Sequence, residues 1–131
     1  MKIAFVSRSN AVRSIMAESV ARRIFRELSM KVEVFSAGIE PAREVHPLTL
    51  KVLEEKGYPL RGLYPKPLSK IPYAKLDILI TIGDAARDGC EFLLSHKRRE
   101  GWFIEAPSES LDAFRRTREE IEEHLRDLLK L

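Results

Sequence analysis

Apolar residues arrive along this chain in two rhythms. At 2–7 (KIAFVS) they run together, rich in strand formers and without a helical period, which predicts a buried strand. From Arg13 to Leu28 the rhythm changes. Met16, Val20 and Ile24, with Ala17, Ala21, Phe25 and Leu28 beside them, mark one face of a helix. Residues 32–37 (VEVFSA) predict a second strand, closed by Gly38 and Pro41. His46-Pro47 opens a second helix through Leu48, Leu50, Val52 and Leu53, and Gly57 stops it. Residues 58–75, with four prolines and Gly62, predict a long irregular connection holding one helical turn. Residues 76–82 (LDILITI) predict a third strand, 86–97 a short helix, and 101–104 (GWFI) a short last strand. From Ser110 onward, Leu111, Phe114, Ile121, Leu125 and Leu128 predict a long helix. Arg115–Glu119, Arg116–Glu120 and Arg118–Glu122 are spaced to pair along its wet face.

Strands alternating with helices predict an α/β fold: a three-layer sandwich with a four-stranded parallel sheet and helices on both faces. The 131 residues suit a single domain spanning 1–131.

Composition narrows the function classes. A chain 44% hydrophobic and 33% charged folds; it is not a disordered segment. No apolar run reaches membrane-span length, so no membrane role is expected. The single cysteine, Cys90, excludes an internal disulfide and points to the cytoplasm. A net charge of +3 suits small anions, and no basic stripe with interleaved aromatics suggests nucleic acid. No cluster has metal-ligand spacing, and no cofactor is implied. Glutamine is absent and Asn10 is the one asparagine, a composition that suggests a thermophilic source.

The candidate chemistry lies after the first strand, at Ser7-Arg8-Ser9-Asn10-Ala11-Val12-Arg13-Ser14. In a parallel α/β sheet, ligands bind beyond the carboxyl ends of the strands. Backbone N–H groups at a helix start have no partner within the helix, and the dipole adds positive charge. Arg13 can hold two oxygens of a tetrahedral anion. Asn10 tolerates the left-handed region, and Ser14 can turn a hydroxyl inward. Taken singly, Ser7, Ser9 and Asn10 read as turn and cap residues; with Arg13 at the end of the loop they read as an anion cradle.

The stretch FVS-x-x-N-x-x-RS-x-MAE resembles the signature of the low-molecular-weight protein tyrosine phosphatases and of the thioredoxin-coupled arsenate reductases that share their fold. Ser36-Ala37-Gly38 with Pro41, Lys66-Pro67-Leu68, 77–81 (DILIT) and Trp102 extend the resemblance along the chain. Three departures stand beside it. The resemblance implies a cysteine thiolate leading the loop, and Ser7 fills that slot without an adjacent base to activate it. It implies an aspartate acid before a proline in the last loop. Ala106 fills that slot, with Glu105 one residue away as a possible acid. It implies three relay cysteines for a reductase, and only Cys90 is present. The final loop also lacks aromatics that would flank a phosphotyrosine ring, although Tyr64 or Tyr73 could line the mouth.

Three readings follow. One is a protein that binds phosphate, arsenate or a phosphorylated small molecule or protein at Ser7–Arg13 without phosphatase or reductase activity. The second is an active phosphomonoester (phosphotyrosine) hydrolase whose nucleophilic cysteine was replaced by Ser7, and an aspartate by Ala106. The third leaves the site a remnant and places function on another surface.

Overall fold

The computed structural model describes residues 1–90 and 98–130. Strand β1 (Lys2–Ser7) leads into α1 (Arg13–Glu27), then β2 (Glu33–Gly38) and α2 (Pro47–Glu55). Two short 3₁₀ turns, Leu68–Lys70 and Tyr73–Lys75, precede β3 (Ile78–Ile82). Helix α3 (Asp84–Gly89), β4 (Arg98–Trp102) and α4 (Leu111–Leu129) complete the order. The four strands form one parallel sheet in the order β2-β1-β3-β4. Chain order reverses at β1, so the loop after β1 opens at the topological switch point, where such sheets bind ligands.

The sheet is buried on both faces, and the period of two sorts its side chains. Ile3, Phe5, Ile80 and Ile82 point to the face covered by α1, α2 and α4, joining Met16, Val20, Leu53, Phe114, Ile121 and Leu125. Ala4, Val6 and Leu79 point to the other face, with Ile71, Leu76, Ala86 and Cys90. Small side chains on that second face let the 3₁₀ segment and α3 lie close. Truncating Phe5, which is fully buried, would cost about 3–5 kcal/mol by opening a cavity. Among the described residues, no helix is long and apolar enough to cross a membrane.

The structure departs from the pattern-based expectations in four places. The last strand runs Arg98–Trp102 rather than 101–104. It lies at the sheet edge, where exposed Arg98 and Arg99 face water, so the burial signal that reveals an inner strand is missing. The connection holds two 3₁₀ turns rather than one. Helix α3 closes at Gly89, and the remainder of the helix expected to 97 falls largely outside the described residues. Arg118 and Glu122 do not lie on the wet face of α4: both are buried against α2, with Arg118 Nη1 donating to Val52 O at 2.7 Å and to Glu55 at 3.1 Å.

Candidate functional site

Helix α1 begins at Arg13 with the chain leaving the buried end of β1. Asn10 makes the turn possible at φ 51, a left-handed value that asparagine tolerates better than most residues. Its amide then ties three segments together. Oδ1 accepts the Lys66 backbone N–H at 3.0 Å, which fixes the amide orientation. Nδ2 donates to Ser14 Oγ at 2.8 Å and to Ser36 Oγ at 3.0 Å. Ser36 passes its own hydrogen to the buried carboxylate of Glu18. Glu18 faces Lys66 Nζ at 3.9 Å and pairs with Arg22.

Four of the loop carbonyls are engaged by the segment that follows β2. Ser7, Arg8, Ser9 and Ala11 accept N–H groups from Ile39, Glu40, Ala42 and His46, and Ala11 also accepts the Thr49 hydroxyl. In a trans peptide the C=O of one residue and the N–H of the next point in opposite directions. The N–H groups of Arg8, Ser9, Asn10 and Val12 are therefore turned to the other side. Among the described residues none of them donates a hydrogen bond. Gly38 makes the arrangement sterically possible. A Cβ there would meet Asn10 Cβ at 2.9 Å and Arg8 O at 3.1 Å.

The start of α1 is also electrically open. Val12 caps it without a side-chain hydrogen bond, and its first turn carries no acidic residue. By contrast, the Ser110 hydroxyl caps α4, with Asp112 in its first turn, and the His46 ring caps α2. An uncapped helix start retains its orphan N–H groups and the positive end of its dipole.

Arg13 reaches from that helix start to the ends of β3 and β4. Nη1 donates to Ile104 O at 2.8 Å, and the guanidinium lies over Gly83 so closely that a Cβ there would sit 2.7 Å from Nη1. Burial alone lowers its pKa, and no carboxylate among the described residues compensates. A cleft of about 340 Å³ opens beside it, lined by Arg13, Gly83, Asp84, Phe103, Ile104 and Glu105.

The predicted site residues thus divide. Ser7, Asn10, Ala11 and Ser14 are buried, with Ser7 Oγ 2.6 Å from Ser14 Oγ. Ser9 and Val12 are half-buried. Arg8 is exposed and pairs with Glu40 at 3.4 Å. Arg13 and Glu105 share the cleft, and Glu105 and its neighbour Ala106 are exposed. Tyr64 belongs to a different hollow, with Glu18, Arg22 and Lys66, while Phe103 stands at the cleft. Cys90 is fully buried, and burial pushes its thiol up to about 11. Sequence reasoning missed the closeness of Gly83 to Arg13 and the backing of Asn10 by Glu18 and Lys66. A glycine directly after a strand was the only available signal for the first.

Residues 2–131 match the family described as low molecular weight phosphotyrosine protein phosphatase. The chain belongs to this family. It is 29% identical over 129 residues to the glutaredoxin arsenate reductase of Synechocystis sp., covering 98% of this chain and 95% of that one. An arsenate reductase solved in its phosphate binding state superposes with a TM-score of 0.81 at 27% identity, covering 98% of this chain and 96% of that one. The YwlE arginine phosphatase, solved as a cysteine-to-serine mutant with a phosphorylated active site serine, superposes at 0.87 with 26% identity, over 99% and 94% of the two chains. The proteins it resembles thus include both arsenate reductases and a phosphatase.

Proposed function

We propose that the chain binds phosphate or a similar tetrahedral oxyanion in the Ser7–Arg13 loop, and that as it stands it lacks the phosphatase and reductase turnover of its family. The ligand is phosphate, arsenate, or a phosphorylated small molecule or protein. The observation that carries the reading is Arg13: a half-buried guanidinium without a compensating carboxylate among the described residues, on the first residue of a helix whose start has no side-chain cap. A desolvated cation of this kind is stabilised when an anion arrives.

The hydrogen bonds behind the loop offer Ser7 no base. Asn10 donates to Ser14 Oγ, and the Ser7 and Ser14 hydroxyls share a hydrogen bond in which either oxygen can be the donor. Glu18, the nearest buried carboxylate in the chain of contacts, is reached only through Ser36 and the Asn10 amide. An amide nitrogen accepts no proton, so no base can draw on Ser7 by this path. Reductase chemistry by a cysteine relay is ruled out by number, since Cys90 stands alone.

A calorimetric titration with phosphate and arsenate tests the reading. Saturable binding should weaken by at least about a hundredfold in Arg13→Ala, on the order of 3 kcal/mol for removing one partner of a desolvated charge pair. Equal affinity with and without Arg13 would overturn it.

The solved phosphatase with a phosphorylated active site serine favours a second reading. In it the chain is a phosphomonoester hydrolase whose nucleophilic cysteine was replaced by Ser7. Ser7 Oγ then forms the new P–O bond, the leaving oxygen departs with its group, and the Ser7 proton passes to a phosphoryl oxygen. The phosphoserine would persist. Intact-mass analysis after incubation with an aryl phosphate should show one added phosphoryl group, absent from Ser7→Ala.

A further inference from the structure

Strand β2 is an outer strand of the sheet, and part of its free edge is bare. The Glu33 N–H turns inward to Met1 O, while the Gly38 N–H turns outward to Lys66 O at 2.8 Å. Backbone direction alternates along a strand, so Val34, Ser36 and Gly38 face away from β1. Gly38 makes an isolated parallel bridge with Pro67, the beginning of a fifth strand that goes no further. Ser36 O accepts the Lys66 ammonium at 3.2 Å in place of a peptide N–H. Val34 N–H and Val34 O have no partner among the described residues. A hollow of about 260 Å³ lies along this stretch, lined by Val34, Ser36 and Tyr64 together with Arg22, Lys66 and Lys70. The three cations face one carboxylate in that lining, Glu18, which is buried and shared by Arg22 and Lys66. Lys70 is exposed and makes no ion pair among the described residues. Glu33, next to Val34, is already paired with Lys2. The hollow shares no lining residue with the cleft beside Arg13.

We infer that this edge takes an extended acidic segment of a partner protein as a short added strand. A lone carboxylate or phosphate can use the cations and the Val34 N–H, but it brings no donor for Val34 O. A peptide backbone supplies donor and acceptor side by side. Successive side chains of an added strand point to opposite faces of the sheet. Arg22 belongs to α1 on one face and Lys70 to the first 3₁₀ turn on the other, so two consecutive acidic residues reach both cations. Tyr64, 54% exposed, adds apolar area beside them. The surplus of positive charge turns away basic strands and disfavours apolar ones, which keeps a bare edge from pairing indiscriminately.

The test titrates the full chain with the blocked peptide acetyl-TVEDVT-amide at low salt and follows the backbone amide signals by NMR. The Val34 signal should shift as the peptide binds. The peptide should bind about three- to tenfold tighter than acetyl-TVQNVT-amide, the range for two exposed ion pairs. That preference should shrink in Lys70→Glu and at high salt. A third peptide, N-methylated at both acidic residues, keeps its carboxylates but loses the N–H that would pair with the edge, and should not bind. Equal binding of the charged and amide peptides overturns the inference, as does equal binding of the N-methylated one, which would mean loose attraction of anions. Failure of the acidic peptide to bind at millimolar concentration overturns it too. Loss of peptide binding in Arg13→Ala would place the peptide in the other cleft and have the same consequence. So would a peptide-free native chain that sediments as a dimer and dissociates in Lys70→Glu, since a second copy would then hold the edge.

Discussion

Two arginines, Arg13 and Arg118, hold their charges in partly or fully buried places, and they have been handled in opposite ways. Arg118 sits between α2 and α4 with its charge consumed. Nη1 donates to Val52 O and to Glu55, and Glu122 lies 3.9 Å from Nε, which itself has no hydrogen-bond partner among the described residues. Glu122 is further held by Lys56 at 2.6 Å and by the Tyr58 hydroxyl. Among the described residues Arg13 has a single carbonyl and no carboxylate. The same contrast runs through the helix starts: α2 and α4 are capped by side chains, and α1 is not. A buried charge that the fold satisfies belongs to stability; the unmatched charge of Arg13 is the one the proposed oxyanion would meet.

The sharpest way to probe that division acts on the ligand side alone. Ser7→Cys should raise hydrolysis of an activated aryl phosphate by at least about a thousandfold over the Ser7 chain, because the loop and Arg13 stabilise a thiolate that a serine cannot supply. Its melting temperature should stay near that of the native chain. Absence of turnover in a folded Ser7→Cys protein would mean that the loop is not poised for attack.

Next in size is the structural arginine. Arg118→Ala should destabilise the protein by about 3 kcal/mol in urea unfolding, as expected when one member of a buried charge cluster is removed. Arg13→Ala should change stability by less than about 1 kcal/mol while abolishing phosphate binding. Reversal of these two outcomes would dissolve the comparison.

Gly83 lies between the two regimes. At φ +90 it holds a backbone conformation that side chains rarely adopt, and its missing Cβ makes room for the Arg13 guanidinium. Gly83→Ala should therefore cost about 1–3 kcal/mol of stability and also weaken phosphate binding. A variant that binds phosphate as the native chain does would show that Arg13 has room to move without loss.

The smallest effect is read from pH. Hydrogen bonding from Arg115 holds the Glu55 carboxyl down at about 2, from an ordinary value of 4.5. A depressed carboxyl contributes stability above its unfolded value and loses it as pH falls through its folded one. Melting temperatures measured between pH 4.5 and pH 2 should fall less steeply in Glu55→Gln than in the native chain. Phosphate affinity at neutral pH should not differ between the two.

Much of the architecture was written locally. The rhythm of apolar positions located β1, β3, α1 and α4, and the starts at Arg13, His46-Pro47 and Ser110 were legible because caps and helix faces depend on neighbours in sequence. The shape of the Ser7–Ser14 loop was legible for the same reason. Strand–loop–helix order, an asparagine suited to φ 51 and an arginine opening the helix are all near-neighbour facts. The edge strand β4 was misplaced because its pairing with β3, not its own hydrophobicity, makes it a strand.

The sequence by itself determined the alternation of strands and helices, the place of the loop between β1 and α1 and the absence of a second cysteine. Only the tertiary structure decided which charges are spent and which remain. Glu18 and Lys66 stand behind Asn10 although 48 residues separate them in the numbering, Arg118 is taken up by α2, and Asp84, Phe103 and Glu105 meet around Arg13. The physical reason is that helix and strand signals are carried by residues a few positions apart. Desolvation and charge pairing depend on segments that come together only when the sheet forms.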